Sequence, residues 1–174
     1  MKLLRIITLS LFIFVSHISI SVAGTTHYLD FKLILNESNA GKKAQSFLKN
    51  KLEKGIKSIQ EKEKKIQSEE KKIIQQKKII SAEEYKKKVS ELRNKVSEIQ
   101  KERGKLLENV AKQRAKARNE ILKNLNPIVK NYMNEKKIRV VMDKKNILLA
   151  DETLDITKDI MALLNKKLKS INLN

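Results

Sequence analysis

The chain has no cysteine and no tryptophan, one proline, four glycines, three tyrosines and four phenylalanines in 174 residues. Each scarcity excludes something. Without cysteine there is no disulfide and no thiolate nucleophile, although an oxidising compartment is tolerated. So few glycines and prolines leave little turn chemistry, and the chain must be mostly long helix. So few aromatic rings argue against a large globular core. Of the two histidines, His17 lies in a leader-like segment, and His27 stands alone beside a short β-prone run, a structural setting. Gly41, Gly55 and Gly104 are isolated, so no phosphate-cradling loop exists. The pairs Glu69-Glu70 and Glu83-Glu84 sit among lysines and read as solvated, salt-bridged helix surface. The expectation is a chain that is not an enzyme, with no catalytic residue, no cofactor and no metal site.

Positive charge is abundant. Lys and Arg number 39 against 20 Asp and Glu, a formal net charge of +19, of which Lys2 and Arg5 supply two units. Such a charge keeps a protein soluble and draws it to anionic surfaces or acidic clients. The first residues resemble an export leader. Lys2 and Arg5 precede a mostly apolar stretch at 6–20, and Ser21-Val22-Ala23 offers small residues two apart. About 15 apolar residues, interrupted by Ser16 and His17, fall short of the ~20 needed to span a bilayer. A signal peptide at 1–23, cleaved after Ala23, is therefore expected, and with it an exported protein. About 150 residues remain, one domain by length.

Residues 38–134 carry helical periodicity. Leu52, Ile59, Ile66, Ile73 and Ile80 recur every seven residues, while the second seam position passes from Leu48 and Ile56 to Glu63 and Glu70. From Tyr85 the stripe is stricter: Val89, Leu92, Val96, Ile99, Arg103, Leu106 and Val110 alternate by four and three. Between the two stripes, Ser81-Ala82-Glu83-Glu84 fits a capping box. A helical hairpin with its tip near 79–82 follows, with Ile79, Ile80, Ser81 and Glu84 as tip residues. The rival is one unbroken helix of ~140 Å. A turn at 80–82 sets Gly55 beside Leu106 or Leu107, and Gly104 beside Lys57 or Ser58, both ~35–40 Å below the tip. The glycines read either as close packing or as a shared bend, so Gly55 and Gly104 are the hinge candidates.

Residues 24–37 and 135–174 change period and form the expected body. A strand is expected near 26–30, and a hairpin from 138–142 and 147–150 around Asp143-Lys144-Lys145-Asn146. Three short strands would share one sheet. Asp155 or Thr157 would cap a last helix carrying Ile160, Leu164 and Leu168. Pro127 should end or kink the long helix. The fold class is mainly α with a small β body, a long antiparallel coiled-coil arm on a small sheet.

The two ends of the working chain are similar to those of the Skp/OmpH family of periplasmic chaperones. The match lies in Tyr28-Leu29-Asp30-Phe31 through Ser38 with Gly41-Lys42-Lys43-Ala44, and in Ile138 to Asp151 with Leu154-Asp155-Ile156-Thr157-Lys158-Asp159-Ile160. The resemblance implies a "jellyfish" homotrimer whose sheets join in a central body and whose arms enclose a cavity. It implies ATP-independent holding of unfolded outer-membrane β-barrel proteins. In such a body Leu29, Phe31, Val140, Met142 and Leu148 are expected to be buried. Partners would be unfolded barrel proteins, two further copies of the chain, and anionic lipid or lipopolysaccharide. The crowd of lysines near the tip also fits a solubilising face, and no physiological nucleic acid is expected of an exported protein. Other classes remain: a structural, tethering coiled coil of the envelope, or a basic adaptor for anionic lipid.

Overall fold

The computed structural model describes residues 26–173. The leader and its cleavage point lie outside the described residues. The chain runs β1 (Thr26–Leu29), α1 (Phe31–Glu37), α2 (Asn39–Gln76), α3 (Ala82–Lys136), β2 (Val140–Asp143) and α4 (Thr157–Lys167). Two 3-10 turns, Lys144–Asn146 and Glu152–Leu154, link β2 to α4.

Helix α1 is a short element where no helix was expected. Asp30 caps it, its carboxylate accepting from the Leu33 amide at 2.7 Å. Ser38 then ends α1 and starts α2. Its amide donates to the Ile34 carbonyl at 3.2 Å, and its Oγ accepts from the Gly41 amide at 3.1 Å. The chain bends here so tightly that a Cβ on Gly41 would lie 2.1 Å from the Leu35 carbonyl oxygen.

Helices α2 and α3 form the arm. They have 38 and 55 residues, about 57 and 82 Å at 1.5 Å per residue. The turn between them occupies 77–81. Ser81 starts α3 by accepting from the Glu84 amide at 3.1 Å, while the Glu84 carboxylate reaches forward to Lys88 at 3.2 Å. Helix α3 does not end at Pro127. It continues for nine more residues, to Lys136, with Leu125 and Ile128 buried on either side. Their packing offsets the backbone hydrogen bond that the ring removes. The helix ends instead at Lys137, whose φ of 56° is left-handed, and the Ile138 amide turns back to the Met133 carbonyl at 2.9 Å.

The sheet is smaller than expected. β1 and β2 pair in parallel, Thr26 with Val140 through Leu29 with Asp143. No strand forms at 147–150, and Leu148 and Leu149 are fully exposed. The cause lies in the linker. The Asp143 carboxylate accepts from the Lys145 amide at 3.2 Å, and the Ile147 amide donates to the Lys144 carbonyl at 3.1 Å, closing a 3-10 turn. A tight hairpin would need a left-handed pair such as Asn-Gly, which this segment lacks. A bridge between Tyr28 and Asp155 flanks β1 in place of a third strand.

The core sits where the elements converge. Leu29, Ile34, Leu125, Ile138, Ile160 and Leu164 are buried together with Ile121, Ile128 and Ile156. A second cluster at the arm base holds Ala44, Leu48, Val110, Ala117 and Leu173.

Candidate functional site

Three surfaces stand out. The first is the outer face of the body. Leu29 is buried and Phe31 half-buried, but Val140 is 49% exposed, Met142 40% and Leu148 102%. A single chain therefore does not bury the last three residues, because β2 presents Val140 and Met142 on the sheet face away from the core and 147–150 has no partner strand. Phe31, Val129, Met133, Val140 and Met142 line an apolar cleft of about 630 Å³ there.

A polar latch closes the body behind that face. The Asp30 amide donates to Thr157 Oγ1 at 2.7 Å, and the Ile156 amide donates to the Tyr28 carbonyl at 2.9 Å. The Thr157 hydroxyl and amide both donate to the Asp155 carboxylate, which Lys144 approaches at 3.3 Å. Partial burial pushes the Asp155 carboxyl up, but the bonds from Thr157 and Lys144 outweigh it, and the group lies below its ordinary value. The capping expectation is met in a mixed way: Ile156 holds the cap position of α4 and makes no side-chain bond, while Asp155 accepts from the first helical amide. The Tyr132 hydroxyl donates to Asp159 at 2.5 Å, which pushes its pKa up to about 12.

The second surface is the arm base. Gly55 lies against Leu106: a Cβ there would meet the Leu106 methyl carbons at 2.5 and 2.7 Å. Gly104 is open, with nothing within 4 Å of such a Cβ. The glycines thus differ in kind, one a close-packing point and one unconstrained. Nearby, the chain's last described residues fold back onto the arm. Leu173 is buried against Ala44, Leu48, Val110 and Ala117, and the Gln113 side-chain amide donates to its carbonyl.

The third surface is the outer arm. Of its seam residues only Ile59 and Ile99 are buried. Beyond them the helices are joined by ion pairs: Lys62 to Glu102 at 2.5 Å, Glu63 to Arg103 at 2.7 Å and Glu69 to Lys95 at 2.6 Å. Glu63 and Arg103, the polar interruptions of the two stripes, face each other. At the tip, Ile79 is 84% exposed and Ile74 60% exposed, while Ile80 is half-buried. Lys77 lies over the Tyr85 ring at 5.7 Å. Among the described residues, no group of His, Cys, Asp and Glu could hold a metal ion, no helix is long and apolar enough to cross a membrane, and every buried side-chain polar atom has a hydrogen-bond partner.

The family model for outer membrane protein (OmpH-like) matches residues 25–164. The chain belongs to the OmpH-like family. The match spans the whole arm and most of both body segments, ending at Leu164, so the terminal resemblance extends through the helices that carried no family wording. Among solved structures, the OmpH-like fold of this chain is similar to the crystal structure of a candidate outer membrane chaperone (OmpH-like) from Caulobacter crescentus CB15. Their TM-score is 0.78 at 20% identity, covering 87% of this chain and 89% of that one. No curated protein matches.

Reasoning from sequence missed two parts of this OmpH-like chain. Helix α1 was hidden because its signal, Asp30 as cap, sits inside a run that also reads as strand. The tail was hidden because Ile171 and Leu173, two apart, are too few to form a pattern.

Proposed function

We propose that this OmpH-like protein is an ATP-independent holding chaperone of the periplasm. It keeps unfolded outer-membrane β-barrel proteins from aggregating. It works as a homotrimer, reaches the periplasm through the leader at 1–23 cut after Ala23, and catalyses no reaction. The body, 24–37 with 135–174, joins the three copies; the arm, 38–134, holds the client. The observation that carries this reading is the family match across the arm and body, together with the geometry of both. The body leaves Val140, Met142, Leu148 and Leu149 exposed, an apolar face and a free sheet edge of the kind a second copy covers. The outer arm has a thin apolar seam and a basic surface, which suits many weak contacts with varied acidic chains.

The test is dilution of a denatured barrel protein into buffer with about one trimer per client. The expected result is light scattering held near baseline without nucleotide. Unchanged aggregation would sink the reading.

The tip favours a second reading. Ile79 protrudes beside Lys77 and Lys78, an apolar point in a basic collar that fits an anionic lipid surface. In that case vesicle binding collapses as salt is raised, and client holding, if any, is incidental.

A further inference from the structure

We propose that the base of the arm is a peptide groove for extended segments with apolar side chains two residues apart, and that the chain's own tail, residues 170–173, is its built-in occupant. The inference deepens the chaperone reading and rests on it for the identity of the competing segment.

The groove has a floor and a clamp. Ala44 and Leu48 of α2 face Val110 and Ala117 of α3, and all four are buried with Leu173 among them. Small side chains at 44 and 117 leave room for the leucine between the helices. The clamp is Gln113. Lys51 of α2 donates to Gln113 Oε1 at 3.0 Å, which leaves the Nε2 hydrogens for the tail. Nε2 donates to the backbone carbonyl of Leu173, not to a side chain. A bond of that kind is made to main chain and does not depend on the side chain at 173. Specificity is left to the spacing of apolar anchors.

The tail has that spacing. After α4 it runs outside helix and strand. Ile171 is half-buried, Asn172 exposed and Leu173 buried, the alternation of an extended segment. Ile171 packs on both the body core and the arm-base cluster, so the tail bridges the two. Transmembrane barrel strands alternate apolar and polar residues with the same period. The docked tail is therefore a small copy of a client strand, held next to the groove it fills. A client strand displaces it, and residues 170–173 guard the groove when no client is present.

The experiment uses a fluorescein-labelled peptide of residues 168–174 and fluorescence anisotropy. It is titrated with the full chain, with the chain ended after residue 169, and with the full-length Leu173→Asp variant, whose charged tail cannot re-enter the apolar floor. An occupant present about nine-tenths of the time weakens a competitor about tenfold. The peptide should bind the shortened chain and Leu173→Asp at least about tenfold tighter than the full chain. An unlabelled barrel-strand peptide should displace it; a peptide of equal composition with its apolar residues adjacent should not. Equal affinity for all three proteins overturns the proposal, as does equal displacement by both competitors. Far-UV circular dichroism accompanies each titration. Should both variants lose their helix, the tail is a structural strap and the proposal falls. Client aggregation is followed separately, so peptide binding without client holding would count against the chaperone reading and leave the groove standing.

Discussion

Gly41 occupies a position where a methyl group has no room. Its Cβ would strike the Leu35 carbonyl oxygen, and backbone does not yield as a side chain does. Gly41→Ala should cost about 2 kcal/mol or more, read as a lower midpoint in urea. The arm glycines should respond differently. Gly104 faces open space on an exposed stretch of α3, so Gly104→Ala should gain about 1 kcal/mol from helix propensity. Gly55→Ala would gain the same propensity but must push aside the Leu106 methyl groups, and the net change should be smaller or reversed. Thermal melts of the two variants separate a packing glycine from an unconstrained one. Sequence alone paired Gly55 with Leu106 or Leu107 through the turn position, but it could not tell which glycine was enclosed. That depends on how the helices rotate about their axes, which a thin seam does not fix.

At the scale of elements, the latch and the arm answer to different conditions. Asp155 is held below its ordinary pKa by Thr157 and Lys144, against the opposing effect of burial. A depressed carboxyl contributes stability that is complete above the unfolded value, ~3.9, and is lost as pH falls through the lower folded value. The body should therefore loosen below about pH 4. Asp155→Asn should be less stable at neutral pH and should show a flatter acid limb, as followed by denaturant midpoints at several pH values. The outer arm should respond to salt. Its cross-arm pairs are exposed, each worth under about 1 kcal/mol, and at 1 M salt the screening length falls to about 3 Å. Hydrogen exchange should quicken at 60–76 and 88–103 in high salt, while 110–128, packed on apolar clusters, should change little. Much of the arm was legible, because heptad spacing reports directly on a helix face. The sheet was less so. The β-prone run at 147–150 was real as propensity, but a strand needs a partner, and within one chain the turn at Lys144–Asn146 carries that run away from β2. Under the trimer proposal, a neighbouring copy covers Leu148 and Leu149, which one chain leaves exposed.

For the whole molecule, those leucines are the measurable feature. A face bearing Val140, Met142, Leu148 and Leu149 in the open is costly to keep in water. Under the trimer proposal, light scattering with size exclusion should give three times the chain mass at micromolar concentration. Leu148→Asp should shift it toward monomer while leaving the arm helices intact by circular dichroism. A wild-type monomer would remove the cavity from the proposed function.

The latch also dictates an order of events. The Asp30 amide and the Thr157 hydroxyl that accepts from it are 127 residues apart, and Asn39 is tied to Asn165 across 126. The arm's partners lie far closer together along the chain near the tip, and such local contacts form fast. The strand at Thr26–Leu29 must wait until almost everything behind it has emerged. On the export route proposed above, a chain threaded from its N-terminus carries β1 unpaired until β2 has followed it across. Under the trimer proposal, the surface on which three copies meet is completed last, association waits for completion of the body, and chains cut short before β2 carry arms but no body to gather them.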